Sequence, residues 1–210
     1  MSGLLGRRQA VFGLAAALAA FPVDAAGDLR ERRPPRGPDL VGLLLAATPA
    51  MPDRRFRQAV VVMLTHHADG AAGLVINRPL GTGSLAELTR RLGLDPGDAD
   101  RQVLIRSGGP VDPGAGFILH SPDYRHATTA MVNEWLALTR TGDVLQASLK
   151  GRGPQRLLVA FGYTGWSGEQ FEREMAAGHW LAVPADRDLV FDDEMATKWP
   201  RAWTRRPKAS

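Results

Sequence analysis

Residues 59–79 read AVVVMLTHHADGAAGLVINRP, and this stretch places two apolar segments on either side of a short polar turn. The segments Ala59–Thr65 and Ala72–Asn77 are each long enough for a buried strand, and His66–Gly70 carries the Asp-Gly pair that is typical of a tight turn. Pro79 has no backbone N–H for a ladder, so it ends the second segment. The stretch therefore predicts an antiparallel hairpin with buried strands.

The rest of the chain alternates between short apolar segments and helix signals. Ser84 and Ser167 precede amphipathic stretches, with Glu87 and Gln170 three residues further on, which is the pattern of a capping box. We expect helices from these caps to about residues 92 and 177, a third helix over 143–150, and strands over 41–47, 103–106, 116–120, 135–139, 156–163, 180–183 and 189–191. Too many strands are adjacent for a simple strand–helix alternation. The predicted fold class is α/β (mixed α+β), a single compact domain with a mixed sheet and flanking helices.

The 210 residues carry 26 basic and 22 acidic side chains, a net charge of +4, but this charge is unevenly divided. Residues 1–37 carry a net +3, residues 38–195 a net −4 and residues 196–210 a net +5. The body of the chain is thus acidic, which does not suit a surface that binds the phosphates of duplex DNA. The chain has no cysteine, so disulfides, zinc ribbons, iron–sulfur clusters and thiol nucleophiles are excluded.

The N-terminal segment has the features of an export signal. Arg7 and Arg8 precede an apolar run over 10–21 that is too short to cross a bilayer as a helix, and Val23 and Ala25 suit the small-residue rule for cleavage. The arginine pair resembles a twin-arginine signal. The alternative is an extension that arises from a wrongly chosen start codon. We therefore divide the chain into a signal-like segment (1–26), a Pro/Arg linker (27–38), a domain (39–195) and a basic flexible tail (196–210).

Two tryptophans, Trp199 and Trp203, lie among the cations of this tail. Alternating aromatic and basic residues can contact an anionic membrane surface or a nucleic acid. The alternative, which the composition favours, is a tail without fixed structure.

Several familiar motifs are nearly present, but each lacks a necessary part. Gly81–Ala86 gives G-x-G-x-x-A before a helix, yet the following strand, Val103–Arg106, ends without the acid that would bind a ribose. Gly165–Glu169 resembles the G-x-S-x-G elbow but ends in glutamate, and Ser167 is better explained as a helix cap. The histidines lack the spacing of metal ligands, although distant ones could converge in the fold; they are His66, His67, His120, His126 and His179. The sequence therefore predicts no catalytic residue, no metal and no cofactor.

Several stretches occur in an order and spacing that resemble the YqgE/AlgH-like family of uncharacterised bacterial proteins. They are residues 44–51 with Asp53 and Phe56, then His66, then residues 70–79, 108–111, 116–120 and 162–166, followed by Gln170, Glu172, Glu174 and Trp180. The resemblance covers about residues 40–192. The matching motif positions are Phe56, Gly70, Gly73, Pro79, Gly108, Gly109, Pro110, Gly162, Tyr163, Gly165 and Trp166.

The resemblance implies a single compact domain with an AlgH-like fold, and it implies no established catalytic residue and no cofactor. Members of this family have been labelled transcriptional regulators, but no pair of helices in this sequence presents a basic recognition face. Family members usually begin almost at the first strand and are cytoplasmic. A functional export signal would instead place this chain in the periplasm.

Four polar residues of the matching stretches flank turns at strand ends, namely Asp53, His66, Asn77 and Arg78. If they converge, they form a candidate site for a small ligand or a peptide. The alternative is that each side chain bonds to the local backbone.

The preferred interpretation is a non-enzymatic regulatory or binding domain whose partner is an unknown protein or small ligand. Direct DNA binding by the acidic body is not expected, while the basic ends could contact an anionic membrane. Two alternatives stay open. One is an exported, envelope-associated binding protein, and the other is an enzyme that uses Asp53, His66, Asn77 and Arg78.

Overall fold

The computed structural model describes residues 33–35 and 37–206, which form ten strands and five α-helices. The strands are β1 (Leu44–Ala47), β2 (Val60–His67), β3 (Gly70–Val75), β4 (Pro79–Ser84), β5 (Gln102–Ser107), β6 (Val111–His120), β7 (Thr129–Met131), β8 (Ala137–Thr139), β9 (Leu157–Ser167) and β10 (Trp180–Val183). The helices are α1 (Leu85–Arg91), α2 (Asp143–Leu149), α3 (Gly168–Ala176), α4 (Arg187–Phe191) and α5 (Met195–Trp203), and a 3₁₀ turn spans Arg54–Phe56. The signal-like segment (1–26), most of the linker and the last four residues lie outside the described range, so the export signal stays a prediction.

The eleven-residue strand β9 organises the sheet. The strand order is β10-β1-β2-β3-β9-β6-β8-β7, and β5 branches from β9 with β4 at its outer side. Pairing is antiparallel except between β5 and β9, where Ile105 lies opposite Val159 in a parallel ladder. Because β9 pairs with β6 along one side and with both β3 and β5 along the other, it joins all parts of one mixed sheet. The predicted fold class is confirmed.

The predicted central hairpin is confirmed as β2 and β3. His67 pairs with Gly70, so the turn itself contains only Ala68 and Asp69 and is shorter than the sequence suggested. A register shift between Met63 and Thr65 bends β2 on its way to this turn. Strand β2 therefore ends two residues later than predicted, because it includes His66 and His67.

The continuous apolar runs of β1 to β3 follow from burial on both faces of the sheet. Leu44 and Ala46 pack on the face covered by α5, whereas Leu45 and Ala47 pack on the opposite face, which α3 covers. Successive side chains of a strand point to opposite faces, so a strand covered on both sides must be apolar at every position. A third cluster lies beneath α1 and α2 and contains Leu85, Val144 and Leu145, among others.

Both predicted helix caps are present. The Ser84 hydroxyl accepts a hydrogen bond from the N–H of Glu87 at 2.9 Å, and the Ser167 hydroxyl accepts one from the N–H of Gln170 at 3.3 Å. Each bond satisfies a backbone donor that has no partner within the helix. The local sequence therefore predicted correctly where these two helices begin.

Three local predictions were wrong. Residues 189–191 belong to helix α4 rather than to an edge strand, because Asp186 caps the N–H of Leu189 at 2.7 Å. The segment after Pro79, for which no strand was expected, is strand β4, which Pro79 begins and which β5 holds in place. The predicted flexible tail from residue 196 is helix α5 as far as Trp203, because Lys198 and Ala202 are fully buried against the sheet and α4. The domain therefore does not end at residue 195.

None of the helices in the described part of the chain is long and apolar enough to span a membrane.

Candidate functional site

The four polar residues singled out from the sequence do not share one centre. Asp53 caps the 3₁₀ turn by accepting from the N–H of Arg55 at 2.9 Å, and its carboxylate also pairs with the Arg55 guanidinium at 2.7 Å. The hydrogen bond from the Arg55 side chain holds the pKa of Asp53 below its usual value. Arg78 donates to the backbone carbonyl of Arg57, and burial lowers its pKa. Both side chains thus serve the loop between β1 and β2.

Asn77 ties this loop to the sheet. Its side-chain oxygen accepts from the N–H of Val60 at 2.9 Å, and its side-chain nitrogen donates to the carbonyl of Gln58 at 2.8 Å. Gln58 has a positive φ of 55°, a conformation that residues other than glycine rarely adopt. The buried Asn77 amide therefore holds a strained turn closed at the start of β2.

His66 lies at the other end of β2. Six residues separate it from Val60, which corresponds to about 20 Å along an extended strand. Catalytic groups must reach the same reacting atoms within hydrogen-bond distance. An enzyme that combines His66 with Asn77 and its neighbours is therefore incompatible with this geometry.

The His66 ring is buried between backbone and aromatic groups. Its Nδ1 accepts from the N–H of Leu40 at 3.3 Å, and its ring centroid lies 4.9 Å from that of Phe171. Burial lowers the pKa of His66, which favours the neutral ring. In that form Nε2 carries the proton, and it has no hydrogen-bond partner among the described residues.

His120 has a more complete environment. Its Nδ1 lies 2.7 Å from the carbonyl of Ser121, which can only accept, so Nδ1 is the donor of the neutral ring. Its Nε2 then accepts from the hydroxyl of Thr139 at 2.8 Å, and Thr139 in turn lies 2.7 Å from the Thr129 hydroxyl. Burial lowers the pKa of His120. This chain of hydrogen bonds fixes β6 to β8 and β7. In the part of the chain that the structure describes, no three histidine or acidic side chains are grouped as metal ligands.

A tryptophan–glutamate cluster covers the α3 face of the sheet. The Glu174 carboxylate accepts from the indole nitrogens of Trp166 at 2.9 Å and Trp180 at 2.7 Å, and from the side-chain amide of Gln170 at 2.8 Å. The two indole rings meet edge to face with centroids 5.7 Å apart, and Phe56 packs against Trp180 in the same way at 5.5 Å. This cluster attaches α3 and the 3₁₀ turn to the sheet.

Two glycines of the loop between β5 and β6 lie directly against the backbone of β9. A Cβ on Gly108 would lie 2.2 Å from the carbonyl oxygen of Gly162, and a Cβ on Gly109 would lie 2.2 Å from that of Tyr163. No side chain fits at such a separation, so the loop between β5 and β6 can cross β9 only with glycine at both positions.

A charged network joins α4, α5 and β5 on the other side of the domain. The fully buried ammonium of Lys198 donates to the carbonyl of Leu189 at 2.5 Å and to the carboxylate of Asp192 at 2.8 Å. Arg201 pairs with the second oxygen of Asp192 at 2.5 Å. Burial alone would raise the pKa of Asp192, but the hydrogen bonds from Lys198 and Arg201 outweigh it and hold that pKa below its usual value. Lys198 thus caps the last carbonyls of α4 and secures α5 at once.

A groove of about 370 Å³ lies beside this network, between β5, the start of β9 and the link from α4 to α5. Its wall combines apolar and polar side chains; the lining residues are Arg101, Gln102, Val103, Leu104, Arg106, Gln155, Arg156, Leu157, Phe191, Asp192 and Asp193. Arg106 is buried in this wall and donates to the carboxylate of Asp193 at 2.8 Å. The groove is the candidate functional site.

Comparison with known proteins assigns the fold to a family. The sequence profile of the AlgH-like family matches residues 44–208. The chain belongs to the AlgH-like family. A UPF0301 protein of Methylococcus capsulatus is 42% identical over 174 residues, which cover 81% of this chain and 95% of the relative. A UPF0301 protein of Rhodospirillum rubrum is 42% identical over 166 residues, with 79% and 86% covered.

Two solved structures are similar to this AlgH-like domain. The solution structure of the AlgH protein from Pseudomonas aeruginosa has a TM-score of 0.68 at 36% identity and covers 80% of this chain and 88% of that protein. A crystal structure of a Corynebacterium diphtheriae protein has a TM-score of 0.65 at 17% identity, with 83% and 90% covered, and it supports the fold alone. The resemblance inferred from the motifs is confirmed.

The profile match extends through α5, in agreement with the finding that this helix is part of the AlgH-like domain. Sequence reasoning missed the residues of the groove and its network, because they stand in no recognised motif. A signal was nevertheless present. Arg106 directly follows the apolar run 103–105 of β5, and Lys198 falls on the buried side of an amphipathic helix between Met195 and Ala202. A charge in such a position is rare unless it is paired, so it marks a network.

Proposed function

We propose that this AlgH-like protein is a non-catalytic regulatory or binding domain, and that it binds a small ligand or a protein rather than duplex DNA. The groove beside Arg106 carries the proposal. Its volume of about 370 Å³ falls in the range of small-molecule sites, and it combines apolar walls with a few charged groups.

Other polar residues of the motifs form hydrogen bonds within the fold, and this supports a binding role over a catalytic one. Asp53, Asn77 and Arg78 hold the loop before β2, and Glu174 holds two tryptophans. General acid–base and nucleophilic catalysis need a group that can approach a substrate proton or reacting atom. Side chains already committed to the backbone or to buried indoles stabilise the fold instead.

The distribution of charge argues against duplex DNA as the partner. Residues 38–206 carry 19 basic and 19 acidic side chains. Three of the cations that the sequence assigned to a flexible tail are paired within the domain, since Lys198 and Arg201 contact Asp192, and Arg205 contacts Asp186. Affinity for DNA rests on cations that neutralise phosphates, and paired cations contribute little to it.

A gel-shift titration of the full chain with a random duplex tests the DNA part of the proposal. We expect no retained complex at about 0.15 M salt, where weak nonspecific binding is screened. A complex that persists at this salt concentration contradicts the proposal. The binding part is tested by ¹H–¹⁵N spectra of the protein with a defined mixture of phosphorylated and carboxylated small molecules, for which shifts confined to the groove are expected.

The same mixture tests the absence of catalysis. After prolonged incubation with the protein, each component should be recovered unchanged by mass spectrometry. A component that disappears in proportion to protein concentration, with a matching new product, contradicts the non-catalytic part of the proposal.

A further inference from the structure

One edge of the Arg106 guanidinium, formed by Nε and Nη2, has hydrogen-bond partners at Nη2 only, among the residues that the structure describes. Nη2 donates to the carbonyl of Asp192 at 3.0 Å and to one carboxylate oxygen of Asp193 at 2.8 Å. Nε is buried and has no hydrogen-bond partner among the residues that the structure describes. A buried donor without a partner destabilises the protein, so a ligand that supplies an acceptor there gains a hydrogen bond that the protein alone does not make.

The geometry of arginine defines what would fit this edge. The Nε and Nη2 donors of a guanidinium lie side by side and in one plane, which matches two oxygens of a carboxylate or a phosphate. Asp193 offers only one oxygen to this edge, and its side chain is 69% exposed while that of Arg106 is 2% exposed. The Asp193 side chain therefore lies at the surface and makes one contact with Arg106, whereas the Arg106 side chain is buried in the wall of the groove.

The charge around the groove also favours an anion. The lining residues and the groups directly paired with them include five cations and three carboxylates; they are Arg101, Arg106, Arg156, Lys198, Arg201, Asp188, Asp192 and Asp193. Burial lowers the pKa of Arg106, and the interactions with Asp193 and Asp192 oppose that change. The positive charge in the wall is thus incompletely compensated, although the domain as a whole has no net charge over residues 38–206.

The apolar part of the wall limits the ligand further. Leu104, Leu157 and Phe191 line the groove next to Arg106. An isolated phosphate ion would leave these surfaces in contact with water, while a ligand with an apolar or aromatic body would cover them.

We propose that this groove binds a small molecule that carries a phosphate or carboxylate beside an apolar body, and that the anion displaces Asp193 from Arg106 and occupies the Nε–Nη2 edge. The inference rests on the proposed binding function and assigns its ligand class. Asp193 then acts as an internal substitute for the ligand, which keeps the guanidinium partly paired while the groove is empty.

The test uses phenyl phosphate and benzoate as probes of the full chain. Each is titrated by calorimetry, and the Nε–H resonance of Arg106 is followed by NMR, since this atom changes partner only if the anion reaches it. The D193N variant removes the internal competitor, so its affinity for at least one probe should rise by about two- to fivefold, the range that an exposed ion pair allows. The R106K variant keeps the charge but loses the planar edge, and its affinity should fall about tenfold or more.

E169Q is the matched control for D193N, because Glu169 is an exposed partner of Arg173 on α3 and its loss changes the net charge equally. Its affinity for the probes should equal that of the wild type. If R106K does not fold by circular dichroism, the D193N comparison and the Arg106 Nε resonance decide. Equal affinities of D193N and E169Q, an unmoved Nε resonance at saturation, or no binding of either probe at about 10 mM would each overturn the assignment. Such a failure leaves the DNA and turnover tests untouched, so the two proposals fail separately.

Discussion

Replacement of Glu174 by alanine tests how strongly the tryptophan–glutamate cluster stabilises the AlgH-like domain. The carboxylate accepts from both buried indole nitrogens, Trp166 and Trp180, and from Gln170. Each indole N–H left without an acceptor costs about 1–3 kcal/mol, and the Glu174 side chain is half-buried, so water can recover part of this loss. We therefore expect E174A to lower the free energy of unfolding by about 2–5 kcal/mol.

The intermediate variant E174Q separates the charge from the hydrogen bonds. A glutamine retains one acceptor oxygen at this position but not the negative charge, and a hydrogen bond to a charged group is about twice as strong as one between neutral groups. The expected loss for E174Q is about 1–2 kcal/mol. The melting temperature should fall by about 2–4 °C for each kcal/mol in a domain of this size.

Urea unfolding followed by far-ultraviolet circular dichroism measures these changes without dependence on tryptophan fluorescence, which the substitutions alter directly. E169A is the control on the same helix, because its exposed i,i+4 pair with Arg173 contributes only about 0.3–0.5 kcal/mol. If E174A destabilises the protein no more than E169A does, the cluster is not a stabilising element and the reasoning is refuted.

Three further predictions concern the sheet and its loops. N77A should cost about 1–4 kcal/mol in urea unfolding, because the buried N–H of Val60 and the partly buried carbonyl of Gln58 lose their partners; an unchanged midpoint would show that water replaces the amide. G109A should accumulate as insoluble protein, since its Cβ would lie 2.2 Å from the Tyr163 carbonyl oxygen, whereas G37A, with open space around it, should remain soluble. Because the pKa of His120 is lowered in the folded state, the unfolded state takes up a proton on this ring more readily than the folded state does. The contribution of His120 to stability is therefore present in full above about pH 6.5 and is lost on acidification, by at most about 1.4 kcal/mol per pH unit. H120Q should flatten this pH dependence, and an identical slope in the variant would exclude His120 as its source.

Local sequence was sufficient where a structural choice depends on neighbouring residues. The caps at Ser84 and Ser167 form bonds to backbone only three residues away, and the hairpin of β2 and β3 follows from two apolar runs and one tight turn. Burial on both faces explains why these strands show no polar alternation. Such features could be predicted because the interacting groups are close along the chain.

The errors occurred where distant residues decide the conformation. The glycine-rich segment of β4 has low strand propensity, and it is extended because β5 pairs with it from Gln102 onwards. The segment from residue 196 onwards carries Pro200 and five cations, which suggested a tail, yet Lys198 bonds to the end of α4 and the Trp199 indole donates to the carbonyl of Ala47 at 2.7 Å. Neither partner is visible in the local composition.

The candidate polar cluster failed for a geometric reason of the same kind. Asp53, Asn77 and His66 each flank a turn, but the turns at the two ends of β2 lie about 20 Å apart along the strand. The sequence indicated that these residues were at strand ends without indicating which end. Their hydrogen bonds instead agree with the alternative that they bond locally.

The position of the charges decides how recognition by this domain can work. Residues 1–37 carry a net charge of +3, whereas residues 38–206 carry none, and Lys198, Arg201 and Arg205 are paired there with Asp192 and Asp186. A neutral domain exerts little long-range attraction on a polyanion, so selectivity must arise from a local site. We propose Arg106 as this site, because its charge is buried, its Nε lacks a partner among the described residues and its partner Asp193 is exposed. The ligand is then selected by the paired oxygens and apolar body that fit the groove, and total charge contributes little.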